Sequence, residues 1–333
     1  MGVQLFFVAS AYTLCLSASR RAEPVSSFYI RRFFRIAPLY YFAIVLYAIV
    51  AYVQARFGGV DRTADYSLLN ITSNVLFVHG LVPSANNSIV PGGWSIATEM
   101  MFYAIFPLLF WVYGRWHSLL NGWFPWVAVG CTFAANLIAQ VLIVKVLHRS
   151  GIANNSFLYY TLLNQLPVFL IGMLLYFCNP RVLVVRDMTL MLVAGTACFA
   201  CINWPGHIAA IFSPALAGIC FAFLFGIVRH LVRSGGLIAK VGEVSYSMYV
   251  VHFIFAWWMT GVLVDAGSRY GVPQIGSYLG TLVATVTLTY WIARFTKWAI
   301  EDRFIEFGRR IVKRIPVGGA VAVSGTLPHQ NTP

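Results

Sequence analysis

Charge is what this chain has little of. Lys, Arg, Asp and Glu together make up 10% of its 333 residues, and only 10 residues are acidic. A water-soluble domain carries roughly a quarter charged residues, so this surface is not built to meet water. The motifs of several soluble enzyme classes are missing too. No HExxH, GxSxG, Walker A or EF-hand pattern stands in the sequence, which removes the metalloprotease, serine-hydrolase, P-loop and calcium-loop readings. Cysteines are few, and Cys15, Cys131, Cys178, Cys198, Cys201 and Cys220 all lie in or at the ends of apolar runs, so they do not form an extracellular disulfide framework. Cys198 and Cys201 have CxxC spacing, but no second pair or histidine cluster accompanies them, and they read as small packing residues rather than a metal or redox site.

What is there is apolar length. Hydrophobic residues make up 59% of the chain and the mean hydropathy is +0.76. A bilayer core needs roughly 20 apolar residues per helix. Runs of that kind stand near 2–18, 36–54, 94–113, 123–147, 157–178, 188–203, 207–228, 245–264 and 276–298. The reading is an all-α, polytopic transmembrane helical bundle of about nine spans. Pro214 leaves open whether the 207–228 run is straight, kinked or split, because proline removes a helix hydrogen bond that lipid cannot replace.

The net charge of +13 would suggest nucleic acid on a soluble protein, but here the basic residues sit between spans. If residues 19–35 are cytoplasmic, alternation puts all Lys and Arg inside except Arg56, Arg62, Lys145, Arg149 and Arg269. That bias follows the positive-inside rule, placing Met1 outside and the C-terminus in the cytoplasm. The partner implied is the lipid bilayer and not nucleic acid. Residues 1–315 form one membrane domain, and 316–333 read as a disordered tail rich in small residues. The longest stretch between spans, 55–93, holds a semi-apolar patch, NVLFVHGLVP, too short to cross and suited to a re-entrant or interfacial position.

Three stretches carry polar chemistry into this apolar chain. FYIRRFFRIAP, residues 28–38, places Arg31, Arg32 and Arg35 just before a span, with Arg35 on one helix face with the other two. Grouped guanidiniums grip phosphate through forked hydrogen bonds, and they serve equally as topology arginines that meet anionic headgroups. PGGWSIATEMMFYAIFPLL, residues 91–109, contains Glu99, the one acidic side chain well inside an expected span. A carboxylate there is costly unless it pairs, protonates or lines a polar cavity. Glu99 therefore reads either as a base, proton relay or histidine-orienting group, or as one end of an interhelical hydrogen bond. VGEVSYSMYVVHF, residues 241–253, opens a span with Ser245, Tyr249 and His252 at spacings of four and three, on one face, and Tyr246 beside them. That stripe is either a substrate-facing wall or an interhelical hydrogen-bond seam. Trp94 and Tyr103 read as interfacial or packing aromatics, and His79, His117, His148, His207, His230 and His329 as bystanders.

Taken in order, GVQLFFVASAYTL at 2–14, FYIRRFFRIAP, WSIATEMMFYAIFP, VGEVSYSMYVVH and IEDRFIEFGRR resemble the motifs of acyltransferase family 3. These are multi-pass bacterial membrane O-acyltransferases that modify lipopolysaccharide, exopolysaccharide and lipochito-oligosaccharides. The resemblance implies transfer of an acyl group, with acetyl from acetyl-CoA as the expected case, to a hydroxyl of a cell-surface or lipid-linked saccharide at the bacterial inner membrane. It implies that Arg31, Arg32 and Arg35 contact the phosphates of a cytoplasmic acyl-CoA. Glu99, Ser245 and Tyr246 would belong to the central catalytic site, with His252 shaping it, and no metal is implied.

The chain also departs from the family pattern. Members usually have an earlier first helix bearing a basic residue and the histidine cast as catalytic base, and this chain begins after that helix. A start placed too late is the expected explanation, and a full-length member would have ten spans. Gln4 stands in place of an acid, Ala11 in place of a glycine, and Asp302 and Arg303 where a proline often follows Glu301. Two other classes fit the same residues. A transporter or flippase of a polar substrate would use an intramembrane carboxylate and polar helix faces without consuming a donor, and an inactive homologue would account for the missing histidine.

Overall fold

The computed structural model describes residues 2–21, 24–57, 62–143, 157–203, 208–231 and 236–315, and every regular element among them is helical. The long helices are α1 (Gly2–Arg20), α2 (Val25–Arg56), α4 (Gly93–Leu119), α5 (Phe124–Val141), α6 (Leu162–Cys178), α7 (Val184–Ile202), α8 (Ile208–Leu231), α9 (Ser245–Arg269) and α10 (Gln274–Thr296). A short α3 (Leu68–Val75) precedes α4, and a π-helical turn, Lys297–Glu301, joins α10 to the closing α11 (Asp302–Lys313). Among the described residues eight helices are long and apolar enough to cross a membrane, and α9, bent by 47° between Ala256 and Met259, makes up to nine. The chain is thus a multi-pass membrane protein with the spans expected from hydropathy. The far end of the 123–147 run, residue 207, Lys145, Arg149, His148, His329 and the tail from 316 lie outside the described residues.

One expectation changes, and one open point is decided. The span expected at 36–54 begins much earlier, at Val25 directly after Pro24, so Arg31, Arg32 and Arg35 lie inside α2 rather than ahead of it. Hydropathy marks where lipid begins, whereas a helix begins where backbone hydrogen bonds begin, here at the Ser27 N–H donating to the Pro24 carbonyl over 3.0 Å. Pro214 does not split its span, since α8 runs through it unbroken. Proline leaves the carbonyl four residues earlier without its helix partner, and the Asn164 side chain of α6 donates to that Ala210 oxygen over 2.9 Å.

Close helix approach at small residues knits the centre together. Gly172 of α6 lies so near α1 that an added Cβ would collide with the Val8 carbonyl. Phe169 of α6 stacks on Phe7 of α1 at 4.3 Å and on Phe102 of α4 at 4.1 Å, closing the core around which α4 stands.

Residues 62–92 do not cross. They fold into a plug against the middle of α2 and the start of α4, with Asn70, Ser73, Asn74, His79, Asn86 and Ser88 buried in it. The Tyr40 hydroxyl donates to Asn74 Oδ1 over 2.7 Å and lies 3.1 Å from His79 Nε2, which is 3.0 Å from the Gly93 carbonyl. A carbonyl only accepts, so Nε2 carries the hydrogen. Burial, only partly offset by the bond to Gly93, pushes the His79 imidazole down to about 4. His79 is therefore a neutral anchor of the plug, not an isolated bystander. The plug's other edge exposes Leu68, Leu69, Leu76 and Leu81, as an interfacial position requires.

Candidate active site

Three helices and the plug converge on a cavity of about 890 Å³. Its lining includes Val3 and Phe6 of α1, Arg62 and Asn87 of the plug, Trp94, Ser95 and Glu99 of α4, and Ser245, Tyr246, Tyr249, His252 and Phe253 of α9, with Tyr160 beside them. All four residues expected in the central site, Glu99, Ser245, Tyr246 and His252, are on this one surface.

The start of α4 is shaped by Gly92, whose φ of 75° is left-handed and whose N–H donates to Asn87 Oδ1 over 2.8 Å. A Cβ at Gly92 would sit 2.7 Å from the Tyr249 hydroxyl, so both the backbone and the close approach require glycine. Tyr249 donates to the Gly92 carbonyl over 2.9 Å, and the Ser95 hydroxyl is 2.8 Å from it, tying α9 to α4 across the cavity wall. Trp94 stacks on Tyr160 at 4.5 Å and gives the wall an aromatic face. The first turns of α4 open on the cavity and bring the positive end of the helix dipole to it.

On α9 the stripe expected from spacing is observed: Ser245, Tyr249 and His252 share the cavity face. His252 Nδ1 lies 2.7 Å from the Tyr249 carbonyl oxygen. That oxygen can only accept, so Nδ1 holds the proton of the neutral ring and Nε2 keeps its lone pair. The Ser245 hydroxyl donates to the Gly242 carbonyl over 2.8 Å, and Tyr246 donates across to the Ile36 carbonyl of α2, also over 2.8 Å. Tyr246 therefore presents its ring to the cavity while its hydroxyl fastens α9 to α2.

Glu99 is 2% exposed. Its Oε1 accepts from Ser10 of α1 over 2.9 Å and from the Tyr103 hydroxyl one turn along α4. Both donors are neutral, and among the described residues Glu99 has no ion-pair partner. Tyr103 is thus a ligand of Glu99 and not merely a packing aromatic.

Arg31, Arg32 and Arg35 do not line this cavity. The Arg32 guanidinium stands 5.6 Å from the Tyr103 ring centroid and 5.7 Å from that of Phe28, so it packs on the aromatic faces beside Glu99 rather than forming an ion pair with it. Arg35 Nη1 lies 3.2 Å from Glu301 Oε1, and Ser247 of α9 donates to Glu301 Oε2 over 3.0 Å. Arg35, Glu301, Lys297 and Arg309 belong to a second, smaller cavity of about 460 Å³. Glu301, Ser10, Arg62 and Asn87 were not singled out from sequence. Glu301 lies past the last apolar run, Ser10 reads as a small residue in a span, and the other two sit in a loop whose composition says only that it is polar. All six cysteines are free, and among the described residues no group of three or more His, Cys, Asp or Glu comes together to hold a metal.

Comparison with known proteins gives a consistent picture. The family described as "Acyltransferase domain" matches residues 1–294. The O-acetyltransferase OatA of Staphylococcus aureus is 27% identical over 92% of this chain and 52% of its own length. The exopolysaccharide production protein ExoZ of Rhizobium meliloti is 24% identical over 81% of this chain and 80% of its own. The chain spans about half the length of the OatA proteins it matches first. No solved structure matches it.

Proposed function

The chain belongs to the acyltransferase domain family, and on that premise we propose that it is a membrane O-acyltransferase, transferring an acyl group from acyl-CoA to a hydroxyl of a saccharide or lipid-linked glycan. Acetyl-CoA is the donor this reading favours, in keeping with the name of OatA, and a surface or lipid-linked polysaccharide the acceptor, in keeping with that of ExoZ. The orientation proposed puts the arginine end of α2 and the C-terminus in the cytoplasm of a bacterial inner membrane, on the strength of the charge bias. The observation that carries the proposal is the convergence of Glu99, Ser245, Tyr246 and His252 on one cavity.

The chemistry such a site supports is simple. A thioester is already activated, so transfer needs proton removal, positioning and stabilisation of an oxyanion. His252 Nε2 takes the proton of the acceptor hydroxyl as its oxygen bonds to the thioester carbonyl carbon. The positive end of α4 steadies the oxyanion formed. That intermediate expels the thiolate, which takes up the proton from His252 and leaves as the free thiol, with the new ester on the acceptor. Glu99, aligned by Ser10 and Tyr103, orients the acceptor hydroxyl. Arg31 and Arg32 meet the donor phosphates, while Arg35 is held by Glu301 and adds field rather than a direct contact.

The test is thiol release from acetyl-CoA by purified protein with and without a saccharide acceptor. His252→Asn is expected to lower kcat by about 10²–10⁴ with the fold retained. Wild-type rates in that variant, or acceptor-independent silence in the native chain, would overturn the assignment. Uptake of a polar solute into vesicles without donor would point to a transporter instead.

A further inference from the structure

We propose that Arg62 and Asn87 form an oxyanion-recognising subsite in the large cavity, so that the acceptor carries a carboxylate or phosphate near the hydroxyl that is acylated. The inference rests on the acyltransfer reading of that cavity and adds the class of acceptor. Among the lining residues only Arg62 and Glu99 carry a formal charge at neutral pH, and Glu99 is already engaged by Ser10 and Tyr103. Arg62 is fixed from behind: Nε donates to Asp65 Oδ2 over 2.8 Å and Nη2 to the Ser88 carbonyl over 2.7 Å. Asp65 does not line the cavity, so the charge shown to an occupant is the guanidinium.

Among the described residues Arg62 Nη1 has no partner. Asn87, next in sequence to the Ser88 that holds Arg62, spends its Oδ1 on the Gly92 N–H, and among the described residues its amide NH₂ has no partner. The Arg62 and Asn87 side chains therefore turn N–H donors toward the cavity, a set that suits an oxyanion better than a neutral hydroxyl. The immobilising cost of a long arginine has been met by its two anchors, so a ligand gains more from the contact than from a free surface arginine.

The experiment is calorimetric binding to the purified full chain in detergent, without donor. The probes are oligogalacturonate, its carboxyl-reduced counterpart, and a sugar phosphate. The carboxylated or the phosphorylated probe is expected to bind roughly tenfold or more tightly than the neutral one, and the better of the two identifies the source of the oxyanion. Arg62→Gln should erase that preference while neutral binding stays as it was. Arg62→Lys, which keeps the charge, should retain part of it and serves if the Gln variant does not fold. Equal binding of charged and neutral probes, no binding of any, or a preference that survives Arg62→Gln overturns the subsite. An anion preference in a chain that transfers no acyl group would leave the subsite standing and overturn the acyltransfer reading instead.

Discussion

Two carboxylates are buried in this bundle almost equally, Glu99 at 2% exposure and Glu301 at 1%, yet their surroundings differ in kind. Glu301 faces a guanidinium, Arg35, and a hydroxyl, Ser247, and the cavity beside it pairs its other basic groups with acids as well: Lys297 with Asp302 at 2.7 Å and Arg309 with Glu306 at 3.7 Å. Glu99 has two hydroxyl donors, no ion-pair partner among the described residues, and an open volume in front of it. A charge that is compensated where it lies holds helices together. One that is aligned by hydroxyls alone beside an open volume keeps lone pairs free for a ligand, at the cost a carboxylate carries inside a membrane bundle.

Substitutions should separate the two regions. The largest effect is expected for Glu99→Gln, with turnover down about 10²–10³ and thermal stability unchanged or raised, because a buried acid held by hydroxyls rather than by an ion pair has become neutral. Full activity would make Glu99 a second structural carboxylate. Arg35→Ala should do the reverse and act mainly on stability, by about 2 kcal/mol. That is less than for a fully enclosed pair because the Arg35 side chain is 39% exposed. The double variant Arg35→Met with Glu301→Met should recover most of the loss in a denaturation series, and failure to recover would show that Arg35 works elsewhere.

Gly92→Ala combines a left-handed φ with a collision at Tyr249, and a loss of about 1–2 kcal/mol is expected. It should come with weaker acceptor binding, since the same hydroxyl ties α9 to α4. The smallest effect belongs to the plug over the Glu99 cavity. His79 has its folded value below its unfolded one, so the unfolded chain binds more protons between about 4 and 6.5. Stability contributed there is present above that window and falls as pH drops through it. The melting temperature should therefore decline by a few degrees from pH 7 to pH 5, and His79→Asn should flatten that slope.

Much of the Glu99 region was legible in sequence because its signals are local. A lone acid in an apolar run and hydroxyls at spacings of four and three followed by a histidine need no knowledge of distant neighbours. The Glu301 region was not, because its defining event is a partnership between residues far apart in the chain, seated on a π-turn that hydropathy does not reveal. The plug lay between these cases. Its apolar patch announced that residues 55–93 would not stay in water, but the burial of Asn70, Asn74 and His79 depends on Tyr40, which belongs to a different helix. Arg35 was legible as part of a basic cluster, but its pairing with Glu301 was not, for the same reason.

The widened turn at Lys297–Glu301 also sets an angle. Each residue of an α-helix advances the chain by about 100° around its axis, so one residue more in a turn rotates everything after it by that amount. Here the rotation delivers Glu301 to Arg35 and, two turns on, lays Gly308 flat against Phe34, where an added Cβ would come within 2.8 Å. Removing a single codon in that turn should swing both contacts away together, leaving the helix length almost unchanged. The C-terminal segment is thus aimed like a dial, and its bearing is fixed by a count of residues rather than by their chemistry.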